Sequence, residues 1–212
     1  MNKLKIFTVG FIRENPVFCL FLGTCATLTL TKTLNEAVGL GVVVSIVLVL
    51  SNIIISLTKK IVPEEIKIPV YAIIIATLAK SLDLLLQAYV PVLSSWLGLF
   101  VSLIVVGGIV MARAEFASKH SVVEATLDGL GMGVGYTFGL ILMAIVRQFL
   151  STGIINLTNP FTGNDIFKVG LPENVITEYT IPLLKEPAGA FLTFAVIAAV
   201  FALINQNKGR EQ

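Results

Sequence analysis

The stretch AVGLGVVVSIVLVLSNIIISLT, residues 37–58, holds no charged side chain. A helix needs about 20 apolar residues to cross the hydrocarbon core of a bilayer, so this run alone predicts a complete crossing. Working outward, further uncharged runs occupy 15–31, 84–112, 129–146 and 188–207, and another apolar segment continues past Lys80 and Asp83. Pro91 and SSWLG at 94–98 break the longest run near its start. The chain therefore reads as an all-α polytopic membrane protein with six transmembrane helices, at about 15–32, 37–58, 68–89, 95–112, 123–149 and 187–206.

Composition agrees with that reading. Of 212 residues, 56% are hydrophobic and 13% charged, with a mean hydropathy of +0.92, far from the make-up of soluble domains. A net charge of +2 with scattered basic residues excludes a nucleic-acid footprint. The N-terminal MNKLKIFTVGFIRENP is basic but leads to no small-residue cleavage site, so the first apolar run is expected to stay in the membrane.

Charge then sets the expected orientation. With six spans, Lys3, Lys5, Arg13, Lys59, Lys60, Lys67, Arg113, Lys119, Lys208 and Arg210 fall on one side. Lys32, Lys80, Arg147, Lys168 and Lys185 fall on the other. The positive-inside rule places both termini in the cytoplasm.

Three spans followed by three spans suggest inverted repeats, because an odd-numbered unit duplicated in tandem must cross the membrane the opposite way. We expect one integral membrane domain over 1–212, with a first repeat at about 15–90, a second at about 91–206 and an external loop at about 150–186. That loop is rich in Thr, Asn, Pro and Gly, and NLT at 156–158 matches a glycosylation acceptor only loosely. The first span of each half carries a small-residue interruption, LGTCATLT at 22–29 and VVGGIVMA at 105–112. Matched interruptions point to a midplane site, although Gly and Ala also serve close helix packing.

Few residues could carry chemistry. Asp83 follows Lys80 by three residues on one helix face, where the two can pair. An ionisable group inside a span is a candidate for an ion path, and a group near the span's end can also snorkel to water. The charges from Arg113 to Asp128 read as a solvated cytoplasmic loop or a docking surface, with His120 solvated. The GLGMGVG string at 129–135 lacks a preceding strand and reads as a helix-packing face rather than a nucleotide loop. No nucleophile–base arrangement, histidine cluster or phosphate-binding motif is present, so any catalysis belongs to an assembly.

The thiols are Cys19 and Cys25. On a continuous helix they would lie about 9 Å apart along the axis and about 120° apart in azimuth, too far for a disulfide. From the residues alone, Cys25 is either a ligand or a small buried side chain.

ENPVFCLFLGTCATLTLT at 14–31, LSNIIISLTKKIVPEEIKIPVYAIIIATL at 50–78, LGLFVSLIVV at 97–106, RAEFASKH at 113–120, LDGLGMGVGYTFGLIL at 127–142 and EPAGAFL at 186–192 resemble the RnfE family of the Rnf electron-transport complex. The D subunit of the sodium-pumping NADH:quinone reductase is related and fits less well. The resemblance implies six helices in an inverted repeat, in the inner membrane. It also implies a homologous partner of opposite orientation, RnfA, with RnfB, RnfC, RnfD and RnfG around the pair. In that family each of the two homologous partners gives a thiol from helix one and another from helix four to a shared [2Fe-2S] cluster. The whole complex oxidises ferredoxin, reduces NAD+ and moves Na+ or H+.

Cys25 matches the helix-one ligand of that family. The helix-four thiol falls on Gly108, or on Gly107 if the single-residue gap before RAEFA is placed upstream, and no thiol stands at either. Since such a cluster takes four ligands, three readings stay open. The cluster has an unusual further ligand, the chain has lost its cluster, or the chain is divergent or altered. The corresponding functions are an electron relay and a structural or ion-conducting paralogue without a cluster.

Overall fold

The computed structural model describes residues 16–18, 20–59, 61–98, 100–104, 107–158, 165–170 and 182–209. In chain order its helices are α1 (Thr24–Thr29), α2 (Leu34–Thr58), α3 (Lys67–Tyr89, entered by a 3-10 turn at Glu64–Ile66), α4 (Pro91–Leu97), α5 (Phe100–Leu103), α6 (Gly108–Lys119), α7 (Val122–Thr152) and α8 (Pro187–Gly209, entered by a 3-10 turn at Pro182–Lys185). Three helical stretches are long and apolar enough to cross a membrane: Leu34–Thr58, Glu64–Tyr89 and Val122–Thr152. Pro187–Leu203 is apolar and shorter.

The core forms where α2 lies against α7. Thr33 caps α2 by accepting from the Glu36 amide, and a reciprocal Ser121–Glu124 capping box starts α7. At 31 residues, α7 runs about 46 Å, longer than the roughly 30 Å hydrocarbon core. Both helices are apolar on all sides. Leu40, Val44, Leu48 and Ile55 of α2 are buried, while Val42, Ile46, Leu50 and Leu57 on the same helix are exposed. In water that outer face would be unfavourable; it suits lipid or a neighbouring membrane helix.

The GLGMGVG string is the packing face of α7. A Cβ at Gly133 would lie 2.7 Å from Ser45 Oγ and 3.1 Å from its Cα, and one at Gly129 would lie 3.1 Å from Leu48 and from Asn52. The close approach brings polar groups into contact as well, and Asn52 Nδ2 donates to the Ala125 carbonyl at 3.0 Å.

Two expected spans differ from single helices. Between 15 and 32 the described residues form a helix only at Thr24–Thr29, and the segment at 95–112 is divided among α4, α5 and α6. The backbone marks the breaks: Phe21 and Gly23 before α1 and Gly98 after α4 take positive φ, and Gly107 before α6 is extended, at φ −61 and ψ 118; neither conformation continues a right-handed helix. The segment at 113–123 is not an open loop either, since α6 continues to Lys119 and only His120 and Ser121 separate it from α7. His120 stacks on Phe116, and its carbonyl accepts from Ser56 Oγ at 3.1 Å and from Lys59 Nζ, so it pins the turn to the end of α2. Within 150–186, β1 (Ile154–Thr158) pairs antiparallel with β2 (Asp165–Gly170). This short ladder is the one strand element among the described residues of an otherwise helical chain.

Candidate functional site

The site is built where two helices start late. Gly23 holds φ 74 at the start of α1, a left-handed conformation that favours glycine. The Tyr136 ring closes over it: a Cβ there would lie 3.0 Å from Tyr136 Cε2, and the Tyr136 hydroxyl donates to the Gly23 carbonyl at 3.4 Å. This puts Cys25 in the first turn of α1, exposed and outside any disulfide.

On the other side, α5 ends at Leu103, and the Ile104 carbonyl accepts from the Gly107 amide at 2.9 Å. Gly107 then caps α6, which begins at Gly108. These two breaks meet. Cys25, Gly107, Gly108 and Tyr136 line one cavity of about 370 Å³ whose other walls are mostly apolar, among them Val44 and Phe100. The two glycines are not equivalent in it. A Cβ at Gly107 would stand 2.8 Å from the Ile104 carbonyl oxygen, whereas one at Gly108 would meet only Leu22 Cδ2 at 3.4 Å. Gly108 is therefore the position with room for a side chain.

The donor chemistry of this cavity is sparse. It offers the Cys25 thiol with the hydroxyls of Thr24 and Tyr136, and the described residues contain no group of three or more His, Cys, Asp or Glu able to hold a metal ion. One thiol is short of the pair the family resemblance implies for each partner, so the described residues do not fit that ligand set. Cys19 lies outside the described residues.

Asp83 is elsewhere. It is buried in α3 and accepts from Lys80 Nζ at 2.9 Å, while the Lys80 side chain is 60% exposed. The lysine snorkels and the aspartate does not. Asp83 does not line the Cys25 cavity.

Sequence reasoning missed Arg147. Sorted with the outer-side charges, it is in fact 1% exposed. Its guanidinium donates to the carbonyls of Leu28 (2.9 Å), Leu184 (3.1 Å) and Lys185 (3.3 Å) and to Thr31 Oγ1 (2.8 Å). It ties the end of α1 and the turn before α8 to α7. Its place inside the expected span 123–149, directly after the uncharged run 129–146, was the available signal of a charge at membrane depth, though not of its partners.

Three helices long and apolar enough to cross a bilayer, packed beside shorter helices whose starts enclose a thiol-bearing cavity, define an integral membrane protein. The family described as "Rnf-Nqr subunit, membrane protein" matches residues 3–198. The E subunit of the Na+-translocating ferredoxin:NAD+ oxidoreductase complex of Acetobacterium woodii is 38% identical over 198 residues, 93% of this chain and 94% of that protein. The E subunit of the proton-translocating ferredoxin:NAD+ oxidoreductase complex of Clostridium ljungdahlii is 35% identical over 208 residues, 97% and 91% of the two chains. Its counterpart in the ion-translocating oxidoreductase complex of Methanosarcina acetivorans is 36% identical over 209 residues, 98% and 94%. The chain belongs to the Rnf-Nqr family of membrane subunits.

Proposed function

We propose that this chain is the E-type membrane subunit of an Rnf-type ion-translocating ferredoxin:NAD+ oxidoreductase. In this reading it sits in the cytoplasmic membrane with both termini inside and six spans in two inverted repeats. It relays electrons across the bilayer together with RnfA, its homologous partner of opposite orientation. The observation that carries the reading is the kinship with E-type subunits over nearly the full length of both chains. The meeting of the two helix breaks at one cavity supports it.

Cys25 would be this chain's thiol toward a [2Fe-2S] cluster shared with the partner, a group that would supply a one-electron carrier. The described donor set is one thiol short of the pair that such a cluster takes from each partner in the family. Asp83, buried in a span, is the candidate for the ion path, and the translocated ion is Na+ or H+. The empty thiol position at Gly108 favours the alternative, a divergent structural or ion-conducting subunit that has lost its cluster.

Anaerobic purification of the whole complex, with spectroscopy of membrane-embedded [2Fe-2S] and NAD+ reduction by ferredoxin, separates the two. Cys25→Ala should abolish or alter the signal if Cys25 is a ligand, and an unchanged signal and activity would show that it is not. Stoichiometric iron between the two homologous subunits would rule out the cluster-free alternative.

A further inference from the structure

The two ends of α3 mark its depth in the membrane. Glu64 and Lys67 pair at its start, and Tyr89, 77% exposed, is its last residue, where an amphipathic ring suits the membrane surface. Lys80 lies about 20 Å along the axis from Lys67 and about 14 Å from Tyr89, deep within a hydrocarbon core of about 30 Å. Its side chain is nonetheless 60% exposed. Its outward reach ends at Asp83 Oδ2, 2.9 Å away, and Asp83 is itself about 9 Å short of Tyr89.

Lys80 belongs to a pattern. Ile73, Thr77, Lys80, Leu84 and Gln87 are all exposed and follow one another at alternating steps of four and three, the spacing that presents one seam to a neighbouring helix. The described residues leave this seam open, and α3 is the least covered of the three long stretches: 22% of its most apolar part is buried, against 56% for α2 and for α7. Lipid tails are a poor cover for it. An ammonium carries three N–H donors and Asp83 takes one; hydrocarbon offers no acceptor for the others, and charges at membrane depth face protein or water. Water is a poor cover too, because Ile73 and Leu84, 65% and 55% exposed, lie on the same seam to either side of Lys80.

We propose that the seam of α3 at 73–87 is the docking face for a transmembrane helix of another subunit, one that presents a hydrogen-bond acceptor to the Lys80 ammonium. Asp83 already balances the charge of Lys80, so the acceptor is a hydroxyl or amide oxygen; a second carboxylate would leave a net negative charge in the hydrocarbon. Ile73 and Leu84 supply the packing, and the polar contact between them holds the two helices together where lipid gives no hydrophobic drive. That the helix comes from a subunit of an ion-translocating complex rests on the function proposed above; the seam itself rests on α3 alone.

The test uses the whole complex in its native membranes. The photoreactive residue p-benzoyl-L-phenylalanine replaces Ile73 in one variant and Leu84 in another, and the products of irradiation are identified by mass. Both positions should attach to one helix of another subunit, at points about three helical turns apart. Attachment to phospholipid alone, or to a second copy of this chain, overturns the proposal. Thr77→Trp adds bulk to a face where nothing in this chain stands in its way, so the variant should reach the membrane at wild-type level and lose that subunit from the purified complex. A Thr77→Trp complex of wild-type stoichiometry also overturns the seam, and if the variant fails to insert, the two photoreactive positions decide. Attachment of both to one helix of a membrane protein outside any ferredoxin:NAD+ oxidoreductase would count against the proposed function and leave the seam standing.

Discussion

Cys25 and Gly108 line one cavity from two separate breaks, Cys25 in the first turn of α1 and Gly108 as the first residue of α6. The space around the glycines decides which of them can regain a side chain. At Gly108 the nearest neighbour of a Cβ is the movable end of Leu22, at 3.4 Å; at Gly107 it is a backbone carbonyl, at 2.8 Å.

Gly108→Cys should therefore assemble into the complex at wild-type level, while Gly107→Cys should cost about 1–3 kcal/mol of strain. Native gel electrophoresis and thermal denaturation of the two complexes measure the difference. Equal yields and equal midpoints would show that the two positions are interchangeable.

Helix packing gives a second expectation. A Cβ at Gly133 meets Ser45 at its Oγ, Cβ and Cα, so Gly133→Ala must push α2 from α7, at a cost of about 1–3 kcal/mol. Ser45→Ala in the same chain removes only the Oγ contact and should restore part of the loss. Ser45→Gly, which also removes the Cβ, should restore more. A double-mutant cycle read as thermal midpoints checks that order.

Arg147 offers a third. Replacing it by Met leaves the carbonyls of Leu28, Leu184 and Lys185 short of a donor, and each buried unsatisfied group costs about 1–3 kcal/mol. Arg147→Lys keeps the charge but presents a point donor in place of a planar fork, so it should recover little. Assembled complex and the protease sensitivity of the turn before α8 are the readouts. Full rescue by Lys would show that charge, and not the fork, holds that junction.

The three long helices were legible because an apolar run of about 20 residues has few other fates. The late starts were legible only as positions. Small residues at 22–29 and 105–112 marked where to look, but the break at Gly23 depends on Tyr136, far along the chain, closing over it. Arg147 shows the same limit: its acceptors are backbone carbonyls, which any sequence supplies, so neither its burial nor its partners could be read from residue types. The hairpin of Ile154–Thr158 and Asp165–Gly170 was hidden in a segment whose Thr, Asn, Pro and Gly content reads as loop.

Asp83 and Lys80 allow structure and transport to be told apart. Lys80→Met leaves a buried carboxylate without its donor at 2.9 Å, and the protein should lose about 1–3 kcal/mol of stability. If the pair is only structural, adding Asp83→Leu removes the unpaired charge, so the double variant should recover that stability and keep ion uptake. An aspartate on the ion path behaves differently. Asp83→Asn, which keeps the shape and can still hydrogen-bond, should assemble normally and oxidise ferredoxin yet move fewer ions per NADH. Parallel measurement of assembly, NAD+ reduction and ion uptake in vesicles distinguishes the two, and wild-type uptake by Asp83→Asn would remove Asp83 from the ion path.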